Sequence, residues 1–163
     1  MTRMSRRFLA TLGMTAVLAL ACSKHESATN GPPPTAPDPC TLISADDLKQ
    51  ITGTPAREGV ASGDAKTVAR CVWQEGGEAG AGAITVAIHA SDVEPLLGQL
   101  RNIPGNEKID LGEEAWWSNA INQLTVRTGP RVVTVGFNSS GGAAEHKAAA
   151  IEIAKKIIPR LSS

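Results

Sequence analysis

Tyrosine is absent from this chain, and its aromatic side chains are only three tryptophans and two phenylalanines. The core must therefore come mainly from Val, Ile, Leu and Ala, and each Trp becomes conspicuous. Cysteine is scarce at three residues, no CxxC pair occurs, and the three histidines show no H-x-x-x-H spacing. The ligand pattern of a zinc site is thus missing. No G-x-S-x-G elbow is present. Gly76, Gly77, Gly80 and Gly82 resemble a phosphate loop only in composition, without the G-K-[ST] ending. Nor is there a run of about 20 apolar residues, the length one helix needs to cross a bilayer. These gaps remove the catalytic, metal and nucleotide classes that announce themselves by motif. No catalytic residue, metal or cofactor is expected.

The N-terminus is orderly. Arg3, Arg6 and Arg7 form a cationic stretch without an acidic residue, and Phe8 to Ala21 follows, uncharged and mostly apolar. Such an order marks an export signal rather than a permanent span. Leu18-Ala19-Leu20-Ala21 leads directly into Cys22. This arrangement resembles the lipobox of a bacterial lipoprotein, which implies acylation of the Cys22 thiol and cleavage before it. Ala19-Leu20-Ala21 is also an A-x-A site, so ordinary secretion is the alternative. Ser5-Arg6-Arg7-Phe8-Leu9 resembles a twin-arginine signal. A general basic segment that happens to hold two adjacent arginines is the simpler account.

Residues 1–21 are accordingly read as the signal peptide, 22–39 as the lipidated cysteine and a linker, and 40–163 as one domain. The linker, SKHESATNGPPPTAPDP, is polar and rich in Pro, Ser and Thr. It cannot bury enough surface to fold alone, and its prolines favour an extended spacer. Fully stretched it would reach at most about 55 to 60 Å. Loss of Arg3, Arg6 and Arg7 leaves 13 Lys and Arg against 16 Asp and Glu, a formal −3. That balance argues against a nucleic-acid partner, whose footprint is a basic patch. With Cys22 acylated, Cys40 and Cys71 remain as a pair able to oxidise outside the cytoplasm, two buried thiols being the alternative.

Periodicity predicts an α+β domain. Ser44 caps a short helix with Asp46 and Asp47 in its first turn, closed by Gly53 and Pro55. Strands follow over Thr67–Gln74 and Ile84–Ala90, an antiparallel hairpin with a loose glycine-rich loop. Ala69, Cys71 and Trp73 share one face, with Trp73 in the core by the disulfide. Ile84, Val86 and Ile88 oppose Thr85, Ala87 and His89. Asp92 caps a second helix carrying Val93, Leu96, Leu97 and Leu100 at helical spacing. Ala115–Ser118, Gln123–Thr128 and Arg131–Asn138 read as strands, the last two about a Gly129-Pro130 turn. A final helix runs from Ala143 to about Ile158, with a stripe of Ala144, Ala148, Ile151, Ala154 and Ile158. The expected order is α-β-β-α-β-β-β-α, a mainly antiparallel sheet of about five strands with three helices against one face.

Three segments, Asp38-Pro39-Cys40-Thr41-Leu42-Ile43-Ser44, Cys71-Val72-Trp73 and Leu111-Gly112-Glu113-Glu114-Ala115-Trp116-Trp117, carry a resemblance. Together they resemble a group of small bacterial lipoproteins of uncharacterised domain type, over most of Asp38 to Leu161. The resemblance implies a disulfide-pinned extracytoplasmic domain and brings no catalytic residues with it.

Among the remaining polar residues, His89 lacks a motif partner and is expected at the surface rather than at a metal or a base site, and His146, beside Glu145 in the first turns of the final helix, is one histidine where a metal site needs more ligands at set spacing. Asp46-Asp47 and Glu113-Glu114 are adjacent carboxylates whose side chains diverge, which suits a solvated face better than an acid/base pair. Trp116 and Trp117 are the best binding candidates. Neighbours on a strand face opposite ways, so one can fill the core while the other anchors a protein, glycan or lipid group. The alternative is that both are packed. The expected function is a non-enzymatic, membrane-tethered binding or accessory module of the bacterial cell envelope, on the inner or outer membrane. Its partner is an envelope protein or a small ligand. A carrier with a pocket between the sheet and the helix Asp92–Leu100 is the alternative, and an envelope hydrolase a third. Intact-mass analysis tests the anchor: the mature protein is expected to carry acyl mass that a Cys22→Ser form lacks, and an unchanged mass would refute lipidation there.

Overall fold

The computed structural model describes residues 35–76, 82–90, 93–139 and 141–161. Cys22, the linker as far as Pro34, the turn at 77–81 and Asp92 lie outside the described residues. The first helical turn, α1 (Pro39–Leu42), begins where the Asp38 carboxylate accepts the Cys40 N–H at 2.9 Å. Pro39 opens it, at the position where a missing N–H costs nothing. The next helix, α2 (Ala45–Thr52), starts with a capping box. Ser44 Oγ accepts the Asp47 N–H at 3.1 Å, and Asp47 accepts the Ser44 N–H at 3.2 Å. Gly53 ends it in the left-handed conformation.

Three strands follow, β1 (Val60–Asp64), β2 (Val68–Gln74) and β3 (Gly82–His89), then α3 (Glu94–Asn102). Four more strands come next, β4 (Asn106–Ile109), β5 (Glu114–Ser118), β6 (Gln123–Thr128) and β7 (Arg131–Ser139). The chain closes with α4 (Ala143–Ile157) and a 3-10 turn, Ile158–Leu161. All strand pairs are antiparallel, in the order β1-β2-β3-β7-β6-β5-β4. Two meanders, β1 to β3 and β4 to β7, are joined where β3 pairs with β7 from Gly82↔Ser139 to His89↔Val132.

Register aligns the apolar residues in rows across the sheet. One row runs Cys71, Val86, Val135, Leu124, Trp117, and the next runs Ala69, Ile88, Val133, Val126, Ala115. All ten are buried. Helix α4 covers this face with Ala149, Ala150, Ile153, Ala154 and Ile157, and Ile43 and Leu48 from the first helices join the same core. Cys71 sits two residues from Trp73 on this face and is bonded to Cys40, with Cα atoms 5.3 Å apart. The bridge fastens α1 to the sheet.

The α+β class and the antiparallel sheet agree with the sequence expectation, but the counts differ, with seven strands and four helices. Edge strand β1 has all five residues exposed, so no inside-outside alternation marks it. Edge strand β4 is four residues, three of them polar, and α1 is a single turn, too short for a helical period. The helices also do not share one face. Val93 and Leu97 of the α3 segment pack on Val132, with Trp116 and Leu96 beside them. Val132 alternates with core-facing Val133, so α3 lies on the face opposite α4. The chain must pass from central β3 to the far edge at β4, and α3 makes that crossing over the free face.

The stripe of α4 is rotated by about one residue from the expected one. Ala144 and Ala148 are exposed, and Ile151 and Ile158 sit at the margin. The buried face is His146, Ala149, Ala150, Ile153, Ala154 and Ile157. Turning this way brings Ile153 and Ile157 inward and lays the His146 ring on Phe137.

The disulfide closes a segment whose ends are 31 residues apart, and a loop of that length constrains the unfolded chain by about 3–4 kcal/mol. The double variant Cys40→Ser, Cys71→Ser is expected to lose about that much in urea unfolding. An unchanged midpoint would show that the bridge adds no stability.

Candidate binding groove

The two tryptophans part as neighbours on a strand must. Trp117 is fully buried in the core, its indole N–H donating to Asn119 Oδ1 at 2.7 Å. It is not available as an exposed anchor. Trp116 faces the other way and is half-buried beside α3. Its indole N–H donates to Glu114 Oε1 at 2.8 Å, and Arg101 holds the same carboxylate with two bonds of 2.6 Å. Glu94 reaches both Arg101 and Arg127. This ion-pair network latches α3 to β5 and β6 over Trp116. Val93, Leu97 and Leu100 are buried. Among the described residues, the concavity at α3 lies on its outer side, along Pro95, Gly98 and Gln99.

The adjacent carboxylates diverge as expected, but they are not merely solvated. Asp47 completes the α2 cap and pairs with Lys156 of α4 at 2.8 Å. Glu113 accepts the Gly129 N–H at 2.8 Å. Bonds from Arg101 and then Trp116 hold the Glu114 carboxyl down at about 2, and bonds from Lys156 and Ser44 hold Asp47 at about 2. His89 is half-buried on the α3 face of β3, where burial, and secondarily the Arg70 charge, lowers its pKa.

The main concavity is on the α4 side, an open groove of about 800 Å³ between α2, the start of α4 and the ends of β2 and β7. Its origin is legible in the register. Trp73, Ile84 and Phe137 form the last apolar row of the core face. The row beyond continues the same inward parity as Glu75, Gly82 and Ser139, with Glu75 N–H bonded to Gly82 O and Gly82 paired with Ser139. The sheet thus turns polar while still pointing inward. Gly82, between the two polar residues, lets them crowd close over its backbone: a Cβ there would stand 2.5 Å from Ser139 Cβ and 3.0 Å from Glu75 Oε2.

His146, in the first turn of α4, closes the groove against this row. Its ring stacks on Phe137 with centroids 4.8 Å apart and planes within 10°. Its Nε2 lies 2.8 Å from Ser139 Oγ. Gly141 makes the close approach possible, since a Cβ there would fall 2.4 Å from Nε2. His146 is 6% exposed, and its Nδ1 is buried without a partner. A bare buried N–H is costlier than a bare lone pair, which favours the tautomer with hydrogen on Nε2 donating to Ser139. In that state the imidazole cannot take the serine proton, and among the described residues no carboxylate bonds Nδ1 to orient the ring as in a hydrolytic triad.

The rotated phase of α4 therefore buries His146. Glu75, Ser139 and Phe137 were not among the sequence candidates. A signal for Glu75 exists, because it extends the inward series Ala69, Cys71, Trp73 with a carboxylate. Among the described residues no group of three or more His, Cys, Asp or Glu is placed to hold a metal ion, and no helix is long and apolar enough to cross a membrane.

Comparison with protein-family models, with curated proteins and with solved structures finds no match to the chain. Function has to be argued from the groove and the N-terminal residues.

The ion pairs of Glu114 and Asp47 carry an acid dependence. Both folded values, about 2, lie below the ordinary values of 4.5 for Glu and 3.8 for Asp. Their stabilisation is present above about pH 4.5 and lost as pH falls toward about 2. The melting temperature is expected to fall slightly as pH drops below about 6.5, where the unfolded chain protonates His89 more readily, and steeply below about pH 4.5, the steep part being smaller in Glu114→Gln. Thermal unfolding followed by circular dichroism across this range checks it, and an equal acid drop in the variant would contradict the assignment.

Proposed function

We propose that the protein is a membrane-tethered binding or accessory module of the bacterial cell envelope, non-enzymatic, with the α2/α4 groove as its contact site. The observation that carries this reading is the polar row at the end of the core face. Glu75 and Ser139 point inward at the bottom of a concave surface, where a packed core would place apolar side chains. Tethering is supported by Cys22 and the signal-like residues before it, and an oxidising compartment by the Cys40–Cys71 bridge. A tether of this kind raises local concentration near partners on the same membrane, so a groove of modest affinity suffices. Trp116 serves the fold by supporting α3, and the groove replaces it as the contact expected to matter.

The Ser139–His146 contact of 2.8 Å favours a second reading, an envelope hydrolase. The tautomer argument and the missing carboxylate on Nδ1 weigh against it.

Crosslinking of the lipidated protein in intact envelopes tests the first reading. Ala148→Arg places a bulky cation on an exposed wall of the groove without disturbing the core. It is expected to reduce partner recovery by at least about tenfold, while Trp116→Ala leaves recovery near wild type. Full recovery with Ala148→Arg would remove the groove as the contact site. Labelling by a fluorophosphonate that disappears in Ser139→Ala would replace the binding reading with the hydrolytic one.

A further inference from the structure

Resting on the binding reading, we infer that the groove is a site for a linear aliphatic polyamine. Three carboxylates line it, from Glu75, Glu145 and Glu152, and no Lys or Arg does. Glu152 has Lys155 beside it at 2.8 Å, but both side chains are more than half exposed, so that pair holds the charge weakly. Acidic residues alone define no ligand, and the stronger sign is Glu75. It is 7% exposed, lines the groove, and its carboxylate makes no hydrogen bond or ion pair with the described residues. Its oxygens open into the groove, where a cationic ligand would give them the partner that the described residues do not.

The spacing of the charges selects the kind of cation. A compact metal ion needs ligands that converge, and the described residues contain no such cluster. Glu145 and Glu152 instead stand seven residues apart on α4, about 10 Å along the helix axis. Between them the wall is apolar, with Ala148 and Ala149 facing Ile51 and the Phe137 ring. Positive groups separated by methylene segments match this alternation of carboxylate and hydrocarbon. Ammonium groups at Glu145 and toward Glu152 would lay the aliphatic chain along the alanines, with Glu75 at the sheet end of the groove left for a third. The acceptor-rich end of α2, with Gln50, Thr52 and Thr54, supplies hydrogen-bond acceptors to the remaining N–H groups.

Isothermal titration of the full-length protein in a neutral detergent tests this, with spermidine as the probe and Mg²⁺ alone as the comparison. Spermidine is expected to bind at one site per chain, and Mg²⁺ to compete only weakly. Glu75→Gln and Glu145→Gln are each expected to weaken binding by about tenfold or more, the usual cost of losing a hydrogen bond to a charged group. Asp46→Asn, an exposed carboxylate outside the groove, should leave affinity unchanged. Glu145 is exposed, so that variant carries the test even where Glu75→Gln lowers stability. Absence of spermidine binding overturns the inference, as does equal weakening by Asp46→Asn or displacement by Mg²⁺ at matching concentration. Absence of binding together with loss of partner capture in Ala148→Arg overturns the polyamine and leaves the binding module standing. Absence of both removes both.

Discussion

The pairing of β3 with β7 is the constraint on which the rest of the structure depends. It joins two meanders whose paired segments are far apart in the chain, eight residues against eight, from Gly82↔Ser139 to His89↔Val132. Contacts of such long range must overcome a large loop-closure entropy before any packing repays it. A slip of one residue would exchange every side chain between faces. Val86, Val135 and Leu124 would leave the core, and Thr134 and Thr125 would enter it. The same register sets Gly82 beside Ser139, so the groove and the core come from one alignment.

Much of the fold is legible where burial imposes a period. The inward series Ala69, Cys71, Trp73 and the alternation of Ile84 to His89 identify two central strands correctly, because each has one face in the core and one outside it. The Ser44 cap and Gly53 bound α2 for reasons local to a few residues. Legibility fails where burial is absent or comes from far away. The β1 strand is held by hydrogen bonds to β2 alone, and bonds between main chains leave no trace in side-chain pattern. The choice of face by α3 depends on which edge the chain must reach, a property of the whole sheet order. The phase of α4 turns on the partnership of His146 with Phe137 and Ser139, which only the β7 register brings within reach. The groove was half legible: Glu75 breaks the apolar series at an inward position, but nothing local says that Gly82 and Ser139 stand beside it.

The two faces of the sheet are covered by different physics. On one, α4 lays an almost unbroken aliphatic surface on the rows of Val, Ile and Leu, and its hold is mainly hydrophobic, with the Lys156–Asp47 and Lys147–Glu107 pairs at its margins. On the other, α3 contributes few buried side chains and is fastened by Glu94, Arg101, Glu114 and Arg127 around the Trp116 indole. Exposed ion pairs of this kind are individually weak, and they weaken further with ionic strength. Helix α3 is thus the layer with the smaller reserve of stability, while the groove belongs to the layer with the larger one. A site mounted on the stiffer side keeps its shape even when α3 loosens.

The bridge from Cys40 to Cys71 has a mechanical meaning as well as a thermodynamic one. Past the hydrogen bonds of Thr35 and Ala36, tension applied at the N-terminal end meets its first covalent cross-link at Cys40 and crosses the sulfur atoms into β2, inside the sheet. The intervening segment, with α2 and β1, drops out of the line of force. Those elements, one of which walls the groove, stay slack while the hydrogen bonds of β2 to β3 resist. A pull on that end would strain the middle of the sheet before it could unwind the helix that shapes the groove.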